Sequence, residues 1–157
     1  MRRALAALLL LACSDPAADA LGPSDRPNGP EHRAGQPCLL CHDFAIAGTV
    51  YLHADDGTGL RGATVAMVDA AGHSFDASTN DVGNFYVTVS SSTPAPSQGS
   101  NGELRIPWDP VFPVHVKVSF GGQEQTMRTP IGRDGSCAGC HLAQVSATSV
   151  GRVWAEP

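Results

Sequence analysis

No stretch of this chain is apolar and long enough to cross a bilayer, which takes about 20 residues. The nearest approach is the uncharged run ALAALLLLA at residues 4–12. Basic charge is also in short supply: 10 Lys and Arg stand against 15 Asp and Glu, for a formal charge of −5. That balance leaves no electrostatic footprint for nucleic acid. A helical period is missing throughout, and with it any alternation of strands and helices. Cysteine is scarce, five in 157 residues, and its placement is the most informative feature of the chain.

Arg2 and Arg3 precede the short apolar run, the layout of a secretory signal. Leu10, Leu11 and Ala12 then lead into Cys13. This resembles the bacterial lipoprotein signal, in which a cysteine after a small residue is diacylated and becomes the new N-terminus. The resemblance implies a leader at residues 1–12, lipidation of Cys13 and an exported protein held at a membrane, in the periplasm or at the cell surface. More than one acyl chain makes such anchoring stable. The competing reading is an ordinary secretory signal with an incidental cysteine. With Arg2 and Arg3 removed, 8 basic residues against 15 acidic ones leave −7. Residues 13–36 lack hydrophobic periodicity and are rich in Pro, Gly, Asp and Ala, so they read as a flexible tether.

From Phe44 onward, short β-type runs alternate with turn signals. Strands are expected at 45–53, 63–70, 74–79, 85–91, 113–120 and 124–129, with ELRIP (103–107) as a short edge strand. Phe85, Val87 and Val89 alternate with polar neighbours, as do Val114, Val116, Val118 and Phe120. NDVGN is a tight turn and residues 91–102 a long polar loop. Strands of this number and spacing predict an all-β protein, an antiparallel β-sandwich over residues 44–130. The acidic loop Asp55-Asp56-Gly57 reads as a solvated hairpin rather than a calcium site, since further oxygen ligands are not evident nearby.

Gly48-Thr49-Val50, the small-residue run Gly62-Ala63-Thr64-Val65, and Thr79-Asn80-Asp81-Val82-Gly83-Asn84-Phe85 with its following strand are similar to the carboxypeptidase-regulatory-like, transthyretin-like sandwich domains of secreted proteins. The likeness covers about half the mature chain and implies a scaffold or binding module more than any particular activity.

Four of the five cysteines fall in two pentads, CLLCH at 38–42 and CAGCH at 137–141, which bracket the expected sandwich as segments 37–43 and 131–157. C-x-x-C-H reads as a c-type haem attachment site. Cysteines at i and i+3 share a face of a helical turn and can form thioethers along one edge of a porphyrin, and the histidine at i+4 supplies the proximal imidazole. Two covalently bound haems follow: one on Cys38, Cys41 and His42, the other on Cys137, Cys140 and His141. A four-cysteine zinc ribbon would need the pairs about 15–20 residues apart, far closer than they are, and would leave both histidines unexplained. Disulfides or redox dithiols remain open for an exported protein, although a thioredoxin-type C-x-x-C goes with the missing βαβ pattern.

For the distal positions the sequence offers Met127, His53 and His32. Met127 closes the last expected strand, where core packing competes with an axial thioether. His53 ends the first strand and, at about 3.3 Å per residue, stands far from the first pentad. His32 lies close enough to fold back over it. Met67 is expected in the core, and His73 and His115 at the surface. The chain as a whole resembles small bacterial lipoproteins in which a transthyretin-like sandwich is bracketed by two CxxCH sites. That implies an exported dihaem cytochrome carrying electrons to redox partners with basic docking surfaces. A haem enzyme or sensor with one open coordination site, for peroxide, nitric oxide or another small gas, is the alternative. On the lipoprotein reading, Cys13→Ala releases the protein from membranes without changing its optical spectrum. Fractionation of cells carrying the variant checks this, and a wild-type protein already soluble and cleaved elsewhere would overturn it.

Overall fold

The computed structural model describes residues 21–24 and 26–156. The leader, Cys13 and the first part of the tether lie outside the described residues. The rest is almost wholly β. One sheet has five strands in the order β11-β1-β4-β6-β5: Val153–Trp154, Ile46–Tyr51, Asn84–Val89, Glu103–Ile106 and Ser97–Gln98. The other has four in the order β3-β2-β7-β8: Ser74–Ser78, Thr64–Val68, His115–Phe120 and Gln123–Thr126. A small hairpin of β9 (Val145–Ser146) and β10 (Ser149–Val150) stands apart. No helix among the described residues is long and apolar enough to cross a membrane.

The period of two decides what faces inward. Val65 and Met67 of β2, Phe75 and Ala77 of β3, and Val116 and Val118 of β7 are buried, with less buried residues between them. Ile46, Val50, Phe85, Val87, Leu104 and Ile106 answer them from the other sheet. Each such side chain contributes about 1.5–3 kcal/mol by leaving water. Met67 is a core residue, as expected, and His115 is exposed.

Several expectations need correcting. The sandwich is not purely antiparallel, because β1 pairs with β11 and β4 with β6 in parallel. Alternation tells which residues face the core but not which way a neighbouring strand runs. ELRIP is no edge, since β5 forms in the polar loop and pairs outside it. Nor is the C-terminal segment only a tail: β11 extends the five-stranded sheet, and the Arg152 guanidinium beside it lies 5.1 Å above the Tyr51 ring. The later tether is also not loose. Gly35 N–H donates to Thr49 Oγ1 at 2.8 Å, and that hydroxyl donates to Asn84 Oδ1 at 2.7 Å. Asn84 Nδ2 donates to the carbonyls of Pro30 (3.3 Å) and His32 (3.1 Å), while Asn80 Nδ2 donates to Pro30 at 2.7 Å. Composition marks 29–36 as flexible because its own side chains hold little apolar surface. What fixes it is its backbone, captured by buried polar side chains of the sheet.

That capture explains why β1 is buried at all six positions. One face meets the core and the other lies under residues 29–36. His73 is an exposed turn residue, as expected, and is also tied to a buried carboxylate: its Nδ1 stands 2.9 Å from Asp69 Oδ2. Burial alone would push Asp69 up. Hydrogen bonds from the His73 ring and from the amides of Val111 and His73 outweigh it and hold the carboxyl at about 2.

Two consequences can be measured. Asn84→Ala removes its two contacts to the carbonyls of the 30–32 turn and leaves the Thr49 hydroxyl proton without an acceptor, at a cost of about 1–3 kcal/mol. Hydrogen exchange at the Gly35 amide then accelerates while β2 and β7 keep their protection, and uniform loss of protection would refute a local latch. For Asp69, a depressed carboxyl pKa contributes stability that is full above about 4 and lost as pH falls toward about 2. Asp69→Asn flattens that acid limb in denaturant melts taken between these values.

Candidate functional site

Both pentads fold alike. Cys38–Leu40 and Cys137–Gly139 are single 3-10 turns. In the first, the amides of Cys41 and His42 both donate to the Cys38 carbonyl at 3.1 Å. In the second, those of Cys140 and His141 donate to Cys137 at 3.2 and 2.9 Å. The second cysteine leaves each turn at nearly the same angles, φ −122° and ψ −15° at Cys41, φ −121° and ψ −15° at Cys140. Side chains three apart eclipse in this geometry, so each sulfur pair shares a face, the arrangement two thioethers require. All four thiols are free.

The first pentad opens on a cavity of about 740 Å³ on the outer face of the five-stranded sheet. Cys38, Cys41 and His42 line one side, His32 and Arg33 another, and Phe44 with Tyr86 the floor. The His42 ring stacks on Phe44 at 4.8 Å, and Phe44 stacks on Tyr86 at 4.6 Å. The His32 and His42 centroids stand 5.6 Å apart, with the ring planes at 68°. The Nδ1 of His32 is engaged with the Gly29 carbonyl, leaving Nε2 free. Arg33 beside it takes the left-handed φ of 53°, costing about 1–3 kcal/mol. Its guanidinium compensates by donating to Gln36 Oε1 (2.7 Å) and the Gly22 carbonyl (2.6 Å).

The second pentad sits on the edge of β1. Ala47 N–H donates to the Gly135 carbonyl at 3.0 Å, and Ser136 bridges Ala47 in parallel. Gly135, at φ 61°, lies so near β1 that a Cβ there would stand 2.1 Å from the Ala45 carbonyl oxygen. Cys137 thereby joins the core. Its sulfur fills the space above Gly48, where a Cβ would come within 2.7 Å of it. Burial pushes the Cys137 thiol up to about 12, with nearby charge at Cys38, Asp134 and Cys140 adding to the shift. Burial pushes the Cys38 thiol up as well.

A cavity of about 210 Å³ lies beside this pentad, lined by Cys137, His141, Met127, Phe85 and Val150 among others. His141 Nδ1–H donates to the Gly151 carbonyl at 2.9 Å, which turns Nε2 outward as the free nitrogen. Met127 is half-buried, its amide donating to Val116 at 3.0 Å just beyond β8. Phe85 lines both cavities, so the two sites share a wall.

Of the three distal candidates, the structure brings His32 to the first pentad and Met127 to the second. His53 joins neither cavity, and stands 3.5 Å from Glu156 beyond the far end of β1. Phe44, Tyr86, Phe85 and Asn84 escaped the sequence reading as site residues. The aromatic two places after His42 was the available signal. Among the described residues no three His, Cys, Asp or Glu side chains gather to hold a bare metal ion, and the Asp56 carboxylate caps its own loop by accepting from Thr58 N–H at 2.8 Å. No family profile, curated protein or solved structure matches this chain, so the resemblances noted above rest on their quoted residues alone.

Proposed function

We propose that this protein is an exported, membrane-anchored dihaem c-type cytochrome that relays single electrons between redox proteins. The observation that carries the reading is that each C-x-x-C-H turn opens on a cavity already holding a second side chain able to bind iron. The first cavity fits the group well. Its volume lies within the roughly 300–1,000 Å³ of cofactor pockets, and an apolar floor with a few convergent polar groups is their usual character. The second would take only one edge of a porphyrin. Val145, 78 % exposed, and Val150, 69 % exposed, offer further apolar surface beside it.

Bound haem supplies the one-electron couple. The chain's own residues do the rest. Cys38 with Cys41, and Cys137 with Cys140, would fix the group by two bonds each. His42 and His141 would each offer an imidazole to its iron. Phe44, Tyr86 and Phe85 keep water from the buried flank. Side chains holding such a group from both sides would leave no coordination site open for a substrate, which would favour relay over catalysis or gas sensing. The acidic charge of the chain favours partners with basic docking surfaces and salt-sensitive association.

A zinc or disulfide module is the poorer account. Neither gives the histidine that closes each pentad a role, and among the described residues no three His, Cys, Asp or Glu side chains gather into a metal site. Intact-mass spectrometry of protein made with a cytochrome c maturation system is expected to show two added haems. Cys38→Ala with Cys41→Ala then removes one and leaves the other. A product carrying zinc, or no haem at all, overturns the reading. Ferrous protein that binds carbon monoxide at once would favour the enzyme or sensor alternative.

A further inference from the structure

We infer that the second pentad is a releasable plug. In the fold described it is closed, with Cys137 stopping a gap in the first strand. The thiol is reached only when residues 135–150 lift from the edge of β1 while the rest of the sandwich stays folded. The plug is a property of the chain's own packing, independent of the dihaem reading. Joined to that reading, it means that the arrangement with Cys137 buried is not the one in which the second pentad takes its group.

The closure is steric. Gly48 stands in the middle of β1, opposite Phe85 of β4, and offers no side chain to its surroundings. A Cβ there would come within 2.7 Å of Cys137 Sγ, 2.8 Å of Cys137 Cβ and 3.0 Å of Phe85 Cε1. Glycine inside a strand often marks such a close approach. Cys137 is 7 % exposed, whereas Cys41 and Cys140 are exposed and Cys38 is half-buried. The two turns share a backbone conformation and differ in access. The cavity beside the second is about 210 Å³ against about 740 Å³ beside the first. Only the larger falls within the roughly 300–1,000 Å³ of cofactor pockets.

The hold on β1 is thin and imperfect. Gly135 accepts from Ala47 N–H at 3.0 Å, and Ser136 follows it into the turn. Serine is well suited to cap a helical turn, yet Ser136 makes no side-chain cap. Among the described residues its buried hydroxyl finds no partner. An unpaired buried hydroxyl costs about 1–3 kcal/mol, which release into water recovers. The pentad is tied more fully to the β9–β10 hairpin: Val150 N–H donates to Cys140 at 3.0 Å, Leu142 N–H to Ser149 Oγ at 3.0 Å, and the His141 ring to Gly151. Pentad and hairpin therefore move as one piece. Firm anchors lie on both sides of it. Ile131 and Val114 exchange backbone hydrogen bonds at 2.8 and 3.0 Å, and β11 pairs with β1. Between the first anchor and the plug, residues 132–134 are exposed and free to hinge. Leu39 of the first turn leans on this hinge, since a Cβ at Gly135 would meet its Cδ2 at 3.2 Å.

Alkylation of the full-length protein made without haem attachment tests the plug. Each cysteine is followed by peptide mass, and its rate is divided by its rate in denatured protein. In folded wild type, Cys41 and Cys140 are expected to react near their denatured rates and Cys137 on the order of a hundredfold more slowly. Urea too dilute to disturb hydrogen exchange in β2 and β7 already speeds Cys137. Gly48→Ala, whose methyl takes the place of the plug, raises the Cys137 rate about tenfold and speeds exchange at the Ala47 amide, with β2 and β7 still protected. Leu39→Ala, which leaves the strand untouched, moves both readouts the same way by a smaller factor. Wild-type Cys137 reacting as fast as Cys140 overturns the closed arrangement. Protection lost only when the whole sandwich unfolds overturns local release, as does a folded Gly48→Ala protein whose Cys137 stays as slow as the wild type. Haem count by mass enters none of these outcomes, so the plug and the dihaem reading fail separately.

Discussion

The first strand of the sandwich has two faces and two edges, and all four must be covered. Ile46–Tyr51 is buried along its whole length, so each backbone N–H and C=O that points away from β4 needs a partner from elsewhere. Two separate pieces of the C-terminal region divide that duty: Gly135 and Ser136 at Ala47, and Val153 and Trp154 at Val50 and Tyr51. The second pentad lies between them. Its position is thus a by-product of closing a strand edge, and the first pentad is placed by the same strand because His42 precedes it by four residues. One requirement of hydrogen bonding brings together two motifs that stand almost a hundred residues apart in the chain.

The outer face of the same strand carries the other organising network. Thr49 and Asn84, adjacent across the β1–β4 pair, present their polar ends to residues 30–35 and find hydrogen-bond partners there and in each other. Burying such groups is costly unless each finds a partner. The docked turn is what satisfies them, and the turn in return is held in a single conformation. His32 is carried along by this exchange, opposite His42.

Much of this was legible in the residues. The inward-facing valines and phenylalanines, Met67 in the core, exposed His115 and the turn geometry of the pentads all follow from periods of two and three. Sequence also named His32 and Met127 among the distal candidates and, from strand length, set His53 far from the first pentad. What stayed hidden has a common cause. Strand direction at β6 and β11, the docking of 29–36 and the burial of Cys137 all depend on contacts between segments far apart in the chain. Short strands such as Val153–Trp154 and Ser97–Gln98 have too few residues to display any period, and exist because a neighbour's edge was open. The buried Asp69 was missed for a related reason. A carboxylate in a turn reads as solvated until the amides that surround it are known.

Cys137 occupies the space that a side chain at Gly48 would fill, which ties the history of the two positions together. A strand residue with no side chain leaves a hole unless another part of the protein supplies the atoms. Here the atoms come from the very motif that would hold a cofactor. A descendant that shed its last two dozen residues would therefore not become a simpler single-site version of the same protein. It would bare the edge of its most buried strand and open a void beneath it, inviting chains to pair with one another. The second site can be altered in chemistry, but it cannot be discarded as a module.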